Sequence, residues 1–298
     1  MYWHSLGLDV FANLKKSISN LSKFRRSVLN ELPQQIKDCF YHLLSKEKHG
    51  YVALNKEYIS SLTDKTKDDC RWDTDVKLGE NLRMGMDFNG PICCAVVGTY
   101  DEYLKELNFI KNFWADVDED KIKDRKTLRA LMTKIIKYYK PLSHKVIDFY
   151  YDSTALVTGP DTGYDDINKE KITSKSIVVS MLNQAGWTVI EHQIVQAGFR
   201  DRFEDWENDL SDDELANCKF GFNTENCAEW YFSATHTKTK FVYKTSKSGE
   251  PYKEFVKDKS SEQKDNIRRI QATHIGEAGD TLKQGIKQQY NQPFMFLG

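Results

Sequence analysis

The sequence predicts an α/β fold in which a mixed sheet is flanked by helices. Three observations carry this. First, Leu82, Met84, Met86 and Phe88 alternate with Arg83, Gly85, Asp87 and Asn89, the two-residue period of a strand. Second, Asn89-Gly90 follows at once and leads into the apolar run Ile92–Val97, which reads as a tight hairpin with positive φ at its turn. Third, helical periodicity and short β-rich runs then take turns, which implies parallel pairing through right-handed crossovers.

Taken in order, residues 1 to about 80 read as helices and irregular segments. Leu29, Leu32, Ile36, Cys39, Phe40 and Leu43 recur there at helical spacing. The first two strands are those above, and Leu104–Trp114 is read as a third. Leu128, Leu131, Met132, Ile135, Ile136 and Tyr139 line one face of a helix that Lys140-Pro141 ends. Lys145–Tyr151 is a fourth strand, followed by a Gly- and Asp-rich loop from Thr158 to Asp166. Ile177, Val178, Met181, Leu182 and Ala185 mark a second helix, with Gly186 as its stop. Trp187–Ile190 gives a fifth strand. Phe203, Trp206 and Leu210 mark a third, acidic helix. Phe241–Phe255 reads as a hairpin turning at Ser248-Gly249-Glu250-Pro251, and a last helix runs from near Gln271 to Tyr290.

Composition narrows the function classes. The 298 residues carry 43 Lys and Arg against 44 Asp and Glu, so nucleic acid must be met by local patches rather than by net charge. No apolar run approaches membrane-spanning length, and Met1–Leu14 has no long apolar stretch of the secretory kind. A cytoplasmic location is expected. The six Cys lack any CxxC spacing and read as reduced thiols. No Gly is followed by Lys, which excludes a P-loop, and no GxSxG elbow occurs. Charge is nonetheless uneven. Residues 11–30 hold five bases and no acid, residues 200–214 eight acids and two bases, and residues 238–273 ten bases and five acids. Solvated surface is the plain reading of each run.

The chemistry lies with the acids. Asp87 ends an apolar strand, and Asp148 and Asp152 lie in or just past another. Carboxylates are depleted in strands and costly to bury unless paired or bound to metal. His274, Glu277 and Asp280 share one face of the last helix at successive i+3 steps. Capping and surface roles would explain each residue alone. Together, converging from two strands and a helix, they form an oxygen-rich set suited to Mg²⁺ or Mn²⁺.

This arrangement resembles the ribonuclease H-like fold, with a mixed sheet of five or more strands, an added β-hairpin and a helical N-terminal extension. More narrowly, residues 77–290 resemble the nuclease domain of the large terminase subunit of tailed bacteriophages. The resemblance is carried by Met84-Gly85-Met86-Asp87-Phe88, by the run Val146–Ser153, by Lys257–Glu262, and by Ala272-Thr273-His274 through Gly279-Asp280-Thr281-Leu282. It implies an endonuclease that cuts concatemeric viral DNA during genome packaging by two-metal-ion hydrolysis, with Mg²⁺ or Mn²⁺. It implies Asp87 and Asp152 as metal ligands, with Asp148 as a rival to Asp152 that lies about 13 Å along the strand. For the third ligand, His274 with Glu277 fits the family's His-to-acid spacing, whereas Asp280-Thr281-Leu282-Lys283 favours Asp280. Both acids remain candidates. Residues 1–76 resemble the segment joining an ATPase motor to the nuclease, which divides the chain into 1–76 and 77–298. Implied partners are double-stranded DNA, a motor domain encoded or cut away elsewhere, the portal and the small terminase subunit, with no membrane.

Lys240, Lys244, Lys247, Lys253, Lys257 and Lys259, threaded with Tyr243, Tyr252 and Phe255, are candidate phosphate contacts. An exposed hairpin kept soluble by Lys is their plain alternative. Two other functions compete: a resolvase- or transposase-like nuclease on the same fold, and a packaging module without catalysis in which the acids are structural.

Overall fold

In the computed structural model, the residues described are 39–290 apart from 64–68, 78, 123–125, 158–163, 166–169, 212–217, 246–248 and 264–267. The basic run 11–30, most of the predicted helix before residue 43, the greater part of the loop 158–166, and Lys247 lie outside them. Within the rest, a seven-stranded sheet forms the centre. Its strands are β1 (Gly50–Tyr51), β2 (Leu82–Phe88), β3 (Ile92–Asp101), β4 (Glu106–Asp116), β5 (Val146–Tyr151), β8 (Thr188–Gln193) and β9 (Lys219–Asn223). Two short strands, β6 (Tyr164–Asp165) and β7 (Glu170–Lys171), pair with each other between β5 and β8.

The sheet order is β1-β9-β4-β3-β2-β5-β8. Only β3 runs against its neighbours; all other pairings are parallel. Counted from β2, the five central strands follow the order three-two-one-four-five with the second reversed, which is the ribonuclease H-like arrangement. The edge pair β9 and β1 is absent from the sequence-based reading. Phe220 and Phe222 alternate there, but in a run of five residues that carries little periodicity of its own.

Three local expectations need correction. The β2–β3 hairpin forms, but neither Asn89 nor Gly90 takes positive φ. Pro91 explains this, because the residue before a proline is held extended. Residues 39–43 form a bridge and a turn rather than helix: Cys39 pairs with Lys238 in an isolated antiparallel bridge. Helix α6 (Ala228–His236) has no counterpart in the periodicity, being apolar on most sides with Trp230 and Ala234 buried.

Alternation along the strands sends two sets of side chains to opposite faces. Met84, Met86, Ala95, Val97 and Phe149 pack under α3 (Thr127–Tyr138) and α4 (Ser174–Gln184). Helix α4 starts on a capping box between Thr173 and Ser176 and ends at Gly186, whose φ is 81°. On the other face, Cys94, Val96, Phe109, Tyr150 and Phe222 meet α5 (Phe199–Asp209), α6 and α7 (His274–Tyr290). Arg83, Gly85 and Asp87 belong to this second face because they alternate with the Met set. The short helices α1 (Lys46–His49) and α2 (Lys56–Ser61) flank the β1 edge, and β10 (Thr239–Thr245) with β11 (Pro251–Lys257) forms the separate hairpin.

Helix α7 lies against the sheet at backbone distance. A side chain at Gly85 would collide with the backbone of Ala278 and Leu282, one at Gly279 with Trp230, and one at Gly285 with Tyr150. Residues 274–286 are consequently all buried. Gly85→Ala should therefore cost about 1–3 kcal/mol, the usual range for overpacking. Urea unfolding of the variant checks this, and an unchanged midpoint would contradict the close approach.

The segment before β2 is clasped to the β1–β9 edge by Asp75. Its Oδ2 accepts from Asn223 Nδ2 at 2.7 Å and from Tyr51 OH at 3.2 Å. Burial pushes the Asp75 carboxyl up to about 6, despite these two hydrogen bonds and with added repulsion from Asp73. A raised carboxyl favours the protonated folded state. Its stabilising contribution is complete below the ordinary value of 3.8 and is lost as pH rises through about 6. Asp75→Asn should thus be more stable than the parent above neutrality, by about 1–3 kcal/mol. It should also flatten the stability profile between about pH 4 and 7. Denaturant midpoints across that window measure both effects.

Candidate active site

Asp87 sits at the carboxyl end of the central strand β2, on the face that α7 covers. Its Oδ2 accepts a hydrogen bond from His274 Nδ1 at 3.1 Å. Burial raises the Asp87 carboxyl, while the bond and charge of His274 pull it down. Burial in turn depresses the His274 imidazole, but Asp87 outweighs it and holds the ring above its ordinary range. The side chain of Asp87 keeps 27% of its exposure while His274 is buried, so the bond joins the rim to the interior.

Asp152 follows β5 directly and caps the turn Ser153–Leu156, accepting from the Thr154 amide at 2.9 Å. Gly85 stands opposite Tyr150 in the β2–β5 ladder. Two residues further along each strand, that register sets Asp152 level with Asp87. Asp148 is elsewhere. It is buried, and accepts from Arg83 Nη1 at 3.0 Å, His192 Nε2 at 2.7 Å and Asn81 Nδ2 at 3.2 Å. It anchors the start of the strands, not their ends.

The two helix acids are placed differently. Asp280 is fully enclosed. Its Oδ1 accepts from Tyr41 OH and Trp206 Nε1, both at 2.8 Å; its Oδ2 accepts from Lys257 Nζ at 2.7 Å and Arg202 Nη1 at 2.9 Å. With two donors on each oxygen Asp280 is already satisfied, contrary to its expected role as third ligand. Glu277 lies one turn nearer the rim. Arg202 Nη1 donates to its Oε2 at 2.7 Å, and Lys257 Nζ and Lys259 Nζ stand 3.3 and 3.8 Å from its Oε1. That buried oxygen accepts no hydrogen bond. Burial opposes ionisation, but Lys257, Arg202 and Lys259 together hold the Glu277 carboxyl well below its ordinary range.

The lysines also divide. Lys257 is entirely buried between the rings of Phe40 and Tyr41, at 4.4 and 5.0 Å, and cannot reach a phosphate. Its expected role as a DNA contact is corrected by this; the base of the hairpin folds inward and carries Lys257 with it. Lys240 is paired with Asp258, and Lys244 with Glu254. Lys253 lies over the Phe241 ring at 4.5 Å. Lys259 is half exposed beside Glu277.

Arg202, Tyr41 and Trp206 are site residues that the sequence reading misses. A signal for Arg202 did exist: it falls one position before Phe203 and four before Trp206, on the buried side of a helix otherwise rich in acid. In an acidic helix a lone buried Arg must find carboxylates on another element.

By donor type, Asp87, Asp152 and His274 suit a hard divalent ion at the strand ends. Among the described residues, however, no three His, Cys, Asp or Glu side chains stand close enough together to hold one as they lie. Their chemistry suits such an ion but their placement does not enclose one, and the acids of the helix are already matched by cations.

No family model matches the sequence, and no curated protein matches it. Solved structures do. The large terminase of one thermophilic bacteriophage, in complex with ATP-gamma-S, is 13% identical, with a TM-score of 0.45 over 95% of this chain and 53% of that one. The g2p large terminase nuclease domain from bacteriophage SPP1 with bound Mn is 16% identical, with a TM-score of 0.32 over 68% and 85%. The large terminase nuclease from thermophilic phage G20c with bound magnesium is 10% identical, with a TM-score of 0.35 over 72% and 84%. The chain spans about half the length of the first of these, the ATP-gamma-S complex. It is similar to the nuclease domains of large terminases, in a mixed α/β fold of ribonuclease H-like order.

The enclosure of Asp280 has a direct consequence. Asp280→Asn leaves Lys257 buried beside a neutral amide, and should destabilise the chain by about 3–5 kcal/mol. Replacing both partners, as Lys257→Met with Asp280→Leu, should recover much of that loss. Chemical denaturation of the single and double variants measures it. A single variant as stable as the parent would show Asp280 to be dispensable to packing.

Proposed function

We propose that the chain is a metal-dependent DNA endonuclease of the terminase kind, cutting concatemeric viral DNA during genome packaging. One observation carries this reading: Asp87 and Asp152 end two adjacent parallel strands at the centre of the sheet, and His274 reaches Asp87 from the closing helix. Ligands collect at strand carboxyl ends in such sheets. Asp87 and Asp152 would hold a divalent ion, Mg²⁺ or Mn²⁺, with Glu277 nearest among the helix acids. Such an ion, when bound, lowers the pKa of its water and stabilises the leaving oxygen of a phosphodiester.

The chain's own residues do the rest. His274 fixes the rotamer of Asp87 through its Nδ1 hydrogen bond. Lys259, half exposed beside the site, supplies a cation for the DNA backbone. The exposed Tyr243 and Tyr252 of the hairpin extend that surface. Double-stranded DNA is the substrate, and an ATPase motor, the portal and the small terminase subunit are the partners of this reading, with the host cytoplasm as its location. Among the described residues no helix is long and apolar enough to cross a membrane.

A second reading, a packaging module without nuclease chemistry, is favoured by the cations on Glu277 and Asp280. Plasmid nicking in Mn²⁺ separates the two. Asp87→Ala should lower nicking by about 100-fold or more, the scale on which losing one preorganised electrostatic group is felt. It should also hold or raise the metal-free melting temperature, since burial already raises that carboxyl. A metal-replete Asp87→Ala protein that nicks like the parent would remove Asp87 from the site. A parent that never nicks would favour the module.

A further inference from the structure

We propose that one face of the β10–β11 hairpin is a stacking platform for an unpaired base of single-stranded nucleic acid, with Tyr243 as the ring and Lys253 as the cation for the adjoining phosphate. The proposal stands on the hairpin alone and goes beyond the endonuclease reading, whose substrate is duplex. Residues directly opposite in an antiparallel ladder share a face. Tyr243 stands opposite Lys253, and Phe241 opposite Phe255. The other face carries Lys244, Tyr252 and Glu254.

The two faces differ in charge. On the second, Glu254 is paired with Lys244. The face of Tyr243 has no acid in either strand of the ladder. Its Lys253 lies instead against rings, 4.5 Å from the Phe241 centroid and 5.9 Å from that of Tyr243, and among the described residues no ion pair ties it to a carboxylate. Tyr243 is 79% exposed, so its ring stands open to solvent. An open ring beside an ammonium without a counter-ion suits a ligand that is flat and aromatic at one point and anionic at the next, which is a nucleotide in a strand. A duplex does not meet both needs, because its bases stack on one another and it presents phosphates to the hairpin. An acidic peptide would use the ammonium and leave the ring idle. The platform is also fixed at one end. Phe255, on the same face, packs against Phe203 and Phe40, and Lys257 is buried among the acids of α7. Lys253 lies four residues before Lys257, about 13 Å along β11.

The test is fluorescence anisotropy of the whole chain in EDTA, with a short labelled oligothymidylate, an abasic strand of equal length, and a blunt duplex. The parent is expected to bind oligothymidylate more tightly than the abasic strand. Tyr243→Leu should weaken the oligothymidylate complex by at least about five-fold, the lower end of what one base–aromatic stack contributes, and leave the abasic complex unchanged. Tyr243→Phe keeps the ring and should bind like the parent. Lys253→Gln should weaken both single strands and flatten the log-log salt dependence by about 0.7, the loss of one phosphate contact. Equal binding of the two strands by the parent overturns the proposal, as does a Tyr243→Leu variant that affects both alike or neither. A Tyr243→Phe variant as weak as Tyr243→Leu would assign the contact to the hydroxyl and overturn stacking. An unchanged Lys253→Gln variant overturns the part given to Lys253. A parent that binds the duplex and neither single strand overturns the platform and leaves the nuclease reading standing. A parent that binds oligothymidylate as expected but never nicks plasmid in Mn²⁺ upholds the platform while the nuclease reading falls.

Discussion

Helix α7 touches β2 backbone to backbone, and the rest of the molecule is arranged around that contact. Gly85 on the strand permits it, facing the backbone of Ala278 and Leu282 on the helix, while Gly279 and Gly285 let the same helix close on Trp230 and Tyr150. A helix pressed so close buries everything along one long stretch, polar residues included. His274, Glu277, Asp280, Lys283 and Gln284 are therefore inside, although none is a residue that prefers the interior. Each must find its partner on another element. Lys283 finds Asp209 on α5 at 2.6 Å, Asp280 finds α5, β11 and the chain at Tyr41, and His274 finds Asp87 on β2. The close contact is thus what forces distant segments to converge on one helix.

The buried charges are an expensive way to fill this space. Desolvating an ion pair costs several kcal/mol per ion, and attraction offsets it only when geometry and additional hydrogen bonds are good. Here both conditions hold for Asp280, whose four donors come from four different residues on three segments of the chain. They hold less well for Glu277, which keeps one oxygen without a hydrogen bond. The two acids differ in environment although they lie one turn apart, and their roles differ with it. Asp280 ties segments together. Glu277, nearer the rim and strongly ionised, is the helix acid still able to act toward Asp87.

Much of this architecture is legible in the sequence, and what is not has physical causes. The five central strands and three of the flanking helices are long enough to carry a clean period, so alternation at Leu82–Asn89 and the i, i+3, i+4 pattern at Leu128–Tyr139 locate them to within a few residues. Strand β9 is too short for a period to declare itself, and Pro91 overrides the turn preference of Asn89-Gly90. Of the proposed site, Asp87, Asp152 and His274 can be singled out only together: capping and surface roles would explain each alone, and their convergence from two strands and a helix is what marks them. Lys257 cannot. Surface and buried lysines look alike in a sequence; only packing decides between them. The run containing Lys257 is basic and aromatic, which fits a DNA contact as well as it fits a cation held between Phe40 and Tyr41.

The hairpin has two distinct ends. At its base, Phe255 packs against Phe203 and Phe40 with ring centroids at 5.1 and 6.5 Å, and the next residue but one, Lys257, enters the charge cluster. Towards its tip, Tyr243 and Tyr252 are exposed and the ion pair of Lys244 with Glu254 lies in solvent, where such a pair contributes little. A strand firmly fixed at one end and weakly held at the other transmits position only near its anchor. The anchor here is the ammonium that bridges Glu277 and Asp280. The same side chain therefore fixes the hairpin to the body and neutralises the acids of α7, so the placement of the basic surface and the charge of the site depend on one buried lysine.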